Sequence, residues 1–130
     1  MFNSLEEVRE YFKNDLFATN AGMQIDSFSS DEVVCSVEIT ERLQNANGGV
    51  MGGAIFTLAD LALAVLANNI HFPSVASQVS INYLSAPKGK KLFAKSSCIK
   101  DGRTTTVIKV DVYDHTDRDV ACFIGTAFKK

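Results

Sequence analysis

One carboxylate stands alone in this sequence. Between Leu43 and Pro87 the only formally charged side chain is Asp60, placed within a run from 52 to about 69 built almost entirely of Ala, Leu, Ile, Phe and Val. Aspartate is a poor helix former and is costly to bury without a partner. It lies about two turns inside the run, too deep to cap a helix start. Two readings stay open. A Ser, an Asn or a backbone N–H could satisfy a structural Asp. Alternatively, an apolar cleft holds the carboxylate as general base or nucleophile, with desolvation raising its pKa. Just upstream stand Gly48-Gly49 and Gly52-Gly53. Turn backbone suffices for the first pair. The second would also leave first-turn helix N–H groups uncovered, where they stabilise developing negative charge. Gly52 and Asp60 are eight residues apart, roughly 12 Å along a helix axis. They would share a side of the helix but cannot serve one carbonyl from a single chain. If both act in one reaction, they come from different subunits.

Other chemistries are removed by what is missing. The two histidines, His71 and His115, and the scattered Cys35, Cys98 and Cys122 give no zinc site of ordinary spacing. No GxSxG elbow is present. The GGVMGG run at 48–53 continues into Ala-Ile rather than Lys-Ser/Thr and lacks the GxGxxG register, so both nucleotide motifs fail. A net charge of −2 argues against bulk electrostatic binding of nucleic acid. An odd number of cysteines without CxxC reads as thiols in a reducing compartment. The opening MFNSLEEVREYF is amphipathic and acidic, unlike a signal peptide. A cytoplasmic location is expected. His71, near the end of the apolar run, and His115, in a polar turn, take no catalytic role.

The elements that must position these residues follow from periodicity. Residues 4–14 predict a short helix, with Ser4 and Glu7 at capping-box spacing and Leu5, Val8, Tyr11 and Phe12 on one face. From 23 to 40 the period becomes two: Val33, Cys35, Val37 and Ile39 alternate with Val34, Ser36, Glu38 and Thr40, a half-buried strand. The Asn- and Gly-rich 41–51 is a loop. The 52–69 run is apolar on every face, which predicts a helix about 27 Å long and covered all round. A membrane span is disfavoured because the run is short and Asp60 would sit in lipid. Four strand-like runs follow, at 75–85, 91–100, 104–113 and 120–129, with Asp101-Gly102 a hairpin signal. At 130 residues this is one domain, spanning 1–130. The class is α+β, an antiparallel meander wrapped around a central helix.

Residues 45–60, NANGGVMGGAIFTLAD, resemble the hotdog-fold acyl-CoA thioesterases of the PaaI (phenylacetic-acid degradation) type. Their pattern is Asn, six residues to His, Gly-Gly, and Asp nine residues after the His. Asn45, Gly52, Gly53, Leu58 and Asp60 match it. Residues 77–87, SQVSINYLSAP, are similar to the family's next strand, and Asp101-Gly102-Arg103-Thr104 to its Gly-Arg hairpin. The resemblance implies hydrolysis of an acyl-CoA to free acid and coenzyme A, with no cofactor or metal. By the same resemblance Asp60 attacks the thioester or activates water, and the Gly52 N–H of a neighbouring subunit polarises the carbonyl. Asn45 helps position carbonyl or water, and Ser77 sits beside the water. Gly53 and Met51 belong to the substrate-binding loop. The implied assembly is a homodimer, doubled to a homotetramer. The sequence departs from the pattern at Met51, where the family has His, and a thioether cannot donate a hydrogen bond. The alternative is therefore a non-catalytic acyl-CoA-binding or regulatory module of the same fold.

Charge elsewhere is uneven. Residues 1–41 hold nine acids and two bases, whereas 88–109 hold seven bases and one acid, Asp101. Strand lysines commonly serve solubility and edge protection. The functional reading of this basic segment is a landing site for coenzyme A phosphates, with Arg103 and 88–91, including Lys88 and Lys90, as contacts.

Overall fold

The computed structural model describes residues 2–130. In chain order the elements are α1 (Leu5–Phe12), α2 (Leu16–Asn20), β1 (Gln24–Phe28), β2 (Glu32–Glu38), a 3-10 turn (Glu41–Leu43), α3 (Gly52–Ile70), β3 (Ser74–Tyr83), β4 (Lys91–Asp101), β5 (Thr105–Asp114) and β6 (Asp119–Lys129). Local chemistry explains the starts and stops. The Ser4 Oγ accepts from the Glu7 N–H at 3.1 Å and the Glu7 carboxylate accepts from the Asn3 N–H at 3.1 Å, so α1 is capped from both directions. The expected single strand over 23–40 is two. Ser29 breaks it, its Oγ accepting from the N–H groups of Asp31 and Glu32 and its own N–H donating to the Glu32 carbonyl. Such side-chain bonds offer the backbone a turn in place of the ladder. The five-residue α2 is too short to show a periodicity and has no counterpart among the expectations.

All six strands form one antiparallel sheet in the order β1-β2-β4-β5-β6-β3. The expected four-strand meander therefore holds only for β4, β5 and β6. Strand β3 pairs with β6 at the far edge, because α3 carries the chain from β2 across to the opposite side before β3 begins. Alternation predicts that a segment is a strand, and says nothing of which neighbour it chooses.

The sheet packs on α3. Ile55, Leu58, Ala59, Leu61, Ala62, Leu63, Val65, Leu66 and Ala67 are buried against Val33, Cys35, Val37, Leu92, Ala94, Ile108, Val110, Val112 and Phe123. The helix is long and apolar enough to cross a membrane by composition, but ten of its nineteen residues are buried under the sheet, as in the core helix of a soluble domain. It is not covered all round. Phe56, Thr57, Asp60 and Ala64, at helical spacing, form a stripe that stays partly open.

Sheet and helix approach closely at Gly125 on β6, where a Cβ would lie 2.3 Å from the Leu63 Cδ1. Leu63 is itself 1% exposed and has little room to swing away. Gly125→Ala is expected to destabilise the domain by about 1–3 kcal/mol through overpacking, read as a lower midpoint in thermal or urea denaturation. An unchanged midpoint would show that Leu63 moves freely.

Candidate active site

Asp60 leaves α3 on the open stripe, on the side away from the sheet. It lines a cavity of about 320 Å³ with Asp15, Leu16, Phe17, Ala18, Phe56, Thr57 and Leu61. Burial, and secondly the negative charge of Asp15, push its pKa above the ordinary carboxylate value. Among the described residues none donates a hydrogen bond to its carboxylate. The structural reading, an Asp held by a Ser, an Asn or a backbone N–H, has no partner here to support it. What remains is a partly desolvated, uncapped carboxylate facing an opening, an arrangement suited to a base or nucleophile.

The start of α3 is built by the loop before it. The Asn45 Oδ1 accepts from the N–H groups of Asn47 at 2.9 Å and Gly49 at 3.1 Å, while the Asn45 N–H donates to the Gly49 carbonyl at 2.7 Å. Gly48 takes a φ of +83° inside this turn, a conformation costly for other residues. The Asn45 side-chain amide oxygen is thus engaged in shaping the loop. The Met51 N–H donates to Leu43 O at 2.8 Å, and the N–H groups of Ala54 and Ile55 return to Met51 O. For the N–H groups of Gly52 and Gly53, no acceptor exists among the described residues, as helix geometry dictates for a first turn. Met51 precedes α3 without a side-chain cap and is 52% exposed.

Tyr83 carries no signal of its own in the sequence. Its hydroxyl donates to Gly52 O at 3.1 Å, and a Cβ on Gly52 would lie 3.2 Å from the Tyr83 Cζ. The absence of a side chain at Gly52 therefore lets a phenol ring cross the helix start. Tyr83, Met51, Gly53, Phe17, Phe56 and Leu43 are among the residues around a second, mostly apolar cavity of about 480 Å³. Phe17, Phe56 and Thr57 line both cavities, so the Asp60 opening and the helix-start cavity adjoin. Nothing in the spacing of Phe17 or Tyr83 announces this. Their placement depends on α2 and on which edge β3 occupies.

Ser77 lines neither cavity. It is the extra residue of a bulge on β3, where the register to β6 shifts between Ala76 and Gln78, and its Oγ donates to Thr126 O at 3.2 Å. Bulges re-aim side chains near sites, and this one brings the Ser77 hydroxyl onto the β6 backbone. The basic residues are not one patch. Lys88 and Lys90 sit before β4 and Arg103 after it, separated by an eleven-residue strand of roughly 33 Å or more. No single phosphate can meet all three from one chain. The physical reason is the strand itself, which sends the two ends of the basic segment to opposite ends of the sheet.

A family model for the thioesterase superfamily matches residues 47–121. Over 119 residues the chain is 28% identical to the acyl-coenzyme A thioesterase PaaI of Escherichia coli, across 91% of this chain and 85% of that protein. The crystal structure of the E. coli PaaI protein superposes with a TM-score of 0.88 at 26% identity, covering 98% of this chain and 96% of the other. A hypothetical thioesterase from Streptococcus pneumoniae, crystallised with coenzyme A, superposes with a TM-score of 0.83 at 31% identity, over 92% and 96% of the two chains. With Asp60, Gly52 and Gly53 placed on the long helix inside one antiparallel sheet, the chain belongs to the thioesterase superfamily, as a hotdog-fold member of the PaaI type.

Proposed function

We propose that the protein is an acyl-CoA thioesterase acting as a homodimer or a dimer of dimers, with Asp60 as the reactive carboxylate. The observation that carries this reading is the isolated, partly desolvated Asp60 opening into a cavity on the one uncovered stripe of α3. In one route Asp60 takes a proton from water as the oxygen of that water adds to the thioester carbonyl, and the proton passes to the coenzyme A thiolate as the C–S bond breaks. In the other the Asp60 carboxylate adds, the C–S bond breaks to release the thiolate, and water then hydrolyses the acyl–Asp60 anhydride and supplies the proton. Both routes end in the free acid, and both require Asp60 ionised. The uncovered Gly52 N–H, at a helix N-terminus, is suited to stabilise the oxygen on which charge develops.

Two subunits are supported by distance and by an edge. Gly52 and Asp60 lie roughly 12 Å apart along their helix, so the donor and the base at one carbonyl come from different copies. Strand β3 offers the means. It is a ten-residue edge strand without a charge or a proline, with Val75 and Tyr83 about half exposed. A long, uncharged edge is a template for pairing with a second chain, and antiparallel pairing of two β3 strands would bring the Ser77 bulge of one copy toward the helix of the other. Asn45 then acts by shaping the loop that presents Gly52. Coenzyme A phosphates are met by Lys88 and Lys90 of one copy or Arg103 of the other. The three free cysteines suit a reducing, cytoplasmic setting.

The test is release of free thiol from a panel of aryl, short-chain and long-chain acyl-CoAs, with the oligomeric state measured by light scattering. Turnover by an assembly of at least two copies is expected. Saturable acyl-CoA binding without thiol release would favour the non-catalytic module instead. Met51, which stands where the family has His, would then be the position to change.

A further inference from the structure

Asp15 precedes α2 at the position where a carboxylate ordinarily caps a helix, yet it makes no side-chain cap bond. Asp15 instead lines the same 320 Å³ cavity as Asp60, because α2 packs against α3. Two like charges brought to one cavity oppose each other's ionisation. We infer that Asp15 is a positioning residue for the thioesterase reaction, a second carboxylate placed on the Asp60 cavity that sets how well Asp60 serves as the base. This rests on Asp60 being the reactive carboxylate.

The surroundings leave few competitors for this effect. Helix α3 carries no other formally charged side chain, and neither does β3, the strand proposed to arrive from a second copy. The strands beneath α3 present it with a mostly apolar surface. Its polar members are Ser96, whose hydroxyl is spent on the Ala62 carbonyl, Thr106, and Asp114 at the end of β5, whose carboxylate is taken up by the Lys88, Thr116 and Arg118 donors. From the loop before α3, Arg42 lines the adjoining cavity, with its guanidinium bonded to the Asn20 carbonyl. From α1, Arg9 and Lys13 line a neighbouring cavity that shares Leu61 with that of Asp60, the Arg9 Nε donating to the Ile25 carbonyl and Lys13 paired with Glu10. Asp15 is the other acid on the Asp60 cavity itself. Burial acts on Asp60 first and Asp15 second, and both raise its proton affinity.

The experiment compares wild type, Asp15→Asn and Asp15→Glu by two readouts. Carbon-13 titration of the Asp60 carboxyl follows its ionisation without reference to activity. The pH dependence of kcat/KM follows its use. In Asp15→Asn the Asp60 titration and the acid limb of kcat/KM are expected to move together to lower pH by roughly half a unit, the scale of one solvated like charge a few ångströms away. The plateau rate is expected to fall about twofold, because a weaker base is a poorer catalyst, so the mutant and wild-type profiles cross. Asp15→Glu restores the wild-type limb, and 1 M salt shrinks the difference. A purely structural Asp15 would lower kcat/KM at every pH without moving the limb, which overturns the inference, as does an Asp60 titration unmoved by Asp15→Asn. Failure of the underlying reading is seen separately. If Asp60→Asn still turns over, Asp60 is not the reactive group and the role of Asp15 in the reaction falls with it, whatever the carbon titration shows.

Discussion

Asp60→Asn is expected to lower acyl-CoA turnover at least about a hundredfold, on the order of 2.7 kcal/mol of barrier, in a protein that stays folded. The substitution keeps the shape of the side chain and removes the charge that both the nucleophilic and the general-base routes require. It should not weaken the fold. The folded-state pKa of Asp60 is raised, by burial first and by Asp15 second, so its ionisation opposes folding. The stability it does supply belongs to the protonated form, is present below the unfolded carboxylate pKa and is lost as pH rises through the raised folded value. At neutral pH the Asn variant should therefore melt at the same temperature as wild type or slightly above it. Thiol release and thermal melts on the same preparations check both halves. Retained activity with a lowered melting temperature would mark Asp60 as a structural carboxylate.

That pairing of outcomes matters because the site was only partly legible in the sequence. Asp60 could be found from chemistry alone: one charge in a 45-residue neutral stretch from 43 to 87 asks for a reason, and its helical setting follows from composition. The glycines at 52 and 53 could be placed at the helix start from their position before the apolar run. What surrounds them could not. Asp15, Phe17 and Tyr83 reach the cavities through a five-residue helix and through the far edge of the sheet, and neither leaves a periodic trace. Composition even misled locally. Seven bases within 88–109 read as one patch, although an extended strand carries Lys88 and Arg103 to opposite ends. Periodicity reports which face of an element is buried. It is silent on which element lies beside it, and a site assembled from α2, the loop before α3, α3 and β3 depends mostly on the second.

The polar turn between β5 and β6 illustrates the same point energetically, since Asp114 at its start is 0% exposed. Its carboxylate accepts from the Lys88 N–H at 2.7 Å, the Thr116 N–H at 2.9 Å, the Thr116 hydroxyl at 2.6 Å and the Arg118 N–H at 3.1 Å. One side chain thereby ties the β5–β6 turn to the loop that carries Lys88 and Lys90. Burial alone would raise the Asp114 pKa, but the Thr116 hydroxyl and the three N–H donors outweigh it and hold the value lowered, to about 2. Asp114→Ala strands those donors at a buried position, where unsatisfied groups and lost charge-assisted bonds dominate the cost. The expected loss is about 3 kcal/mol, which in a domain of this size lowers the melting temperature by roughly 10 °C. The pH dependence supplies the signature. A depressed carboxylate pKa contributes stability above the unfolded value, near the ordinary 3.8, and that contribution is lost as pH falls through the folded value of about 2. The gap between wild type and Asp114→Ala should therefore be full at neutral pH and narrow as acid is added below about pH 4. Melts taken from pH 7 down to pH 2 test this, and a gap constant with pH would mean that the turn is held by something other than an ionised Asp114. Because the Lys88 N–H is one of the four donors, a loosened loop should also raise KM for acyl-CoA more than it lowers kcat if Lys88 and Lys90 meet the coenzyme A phosphates. An unchanged KM in a correctly folded variant would remove those two lysines from the substrate site.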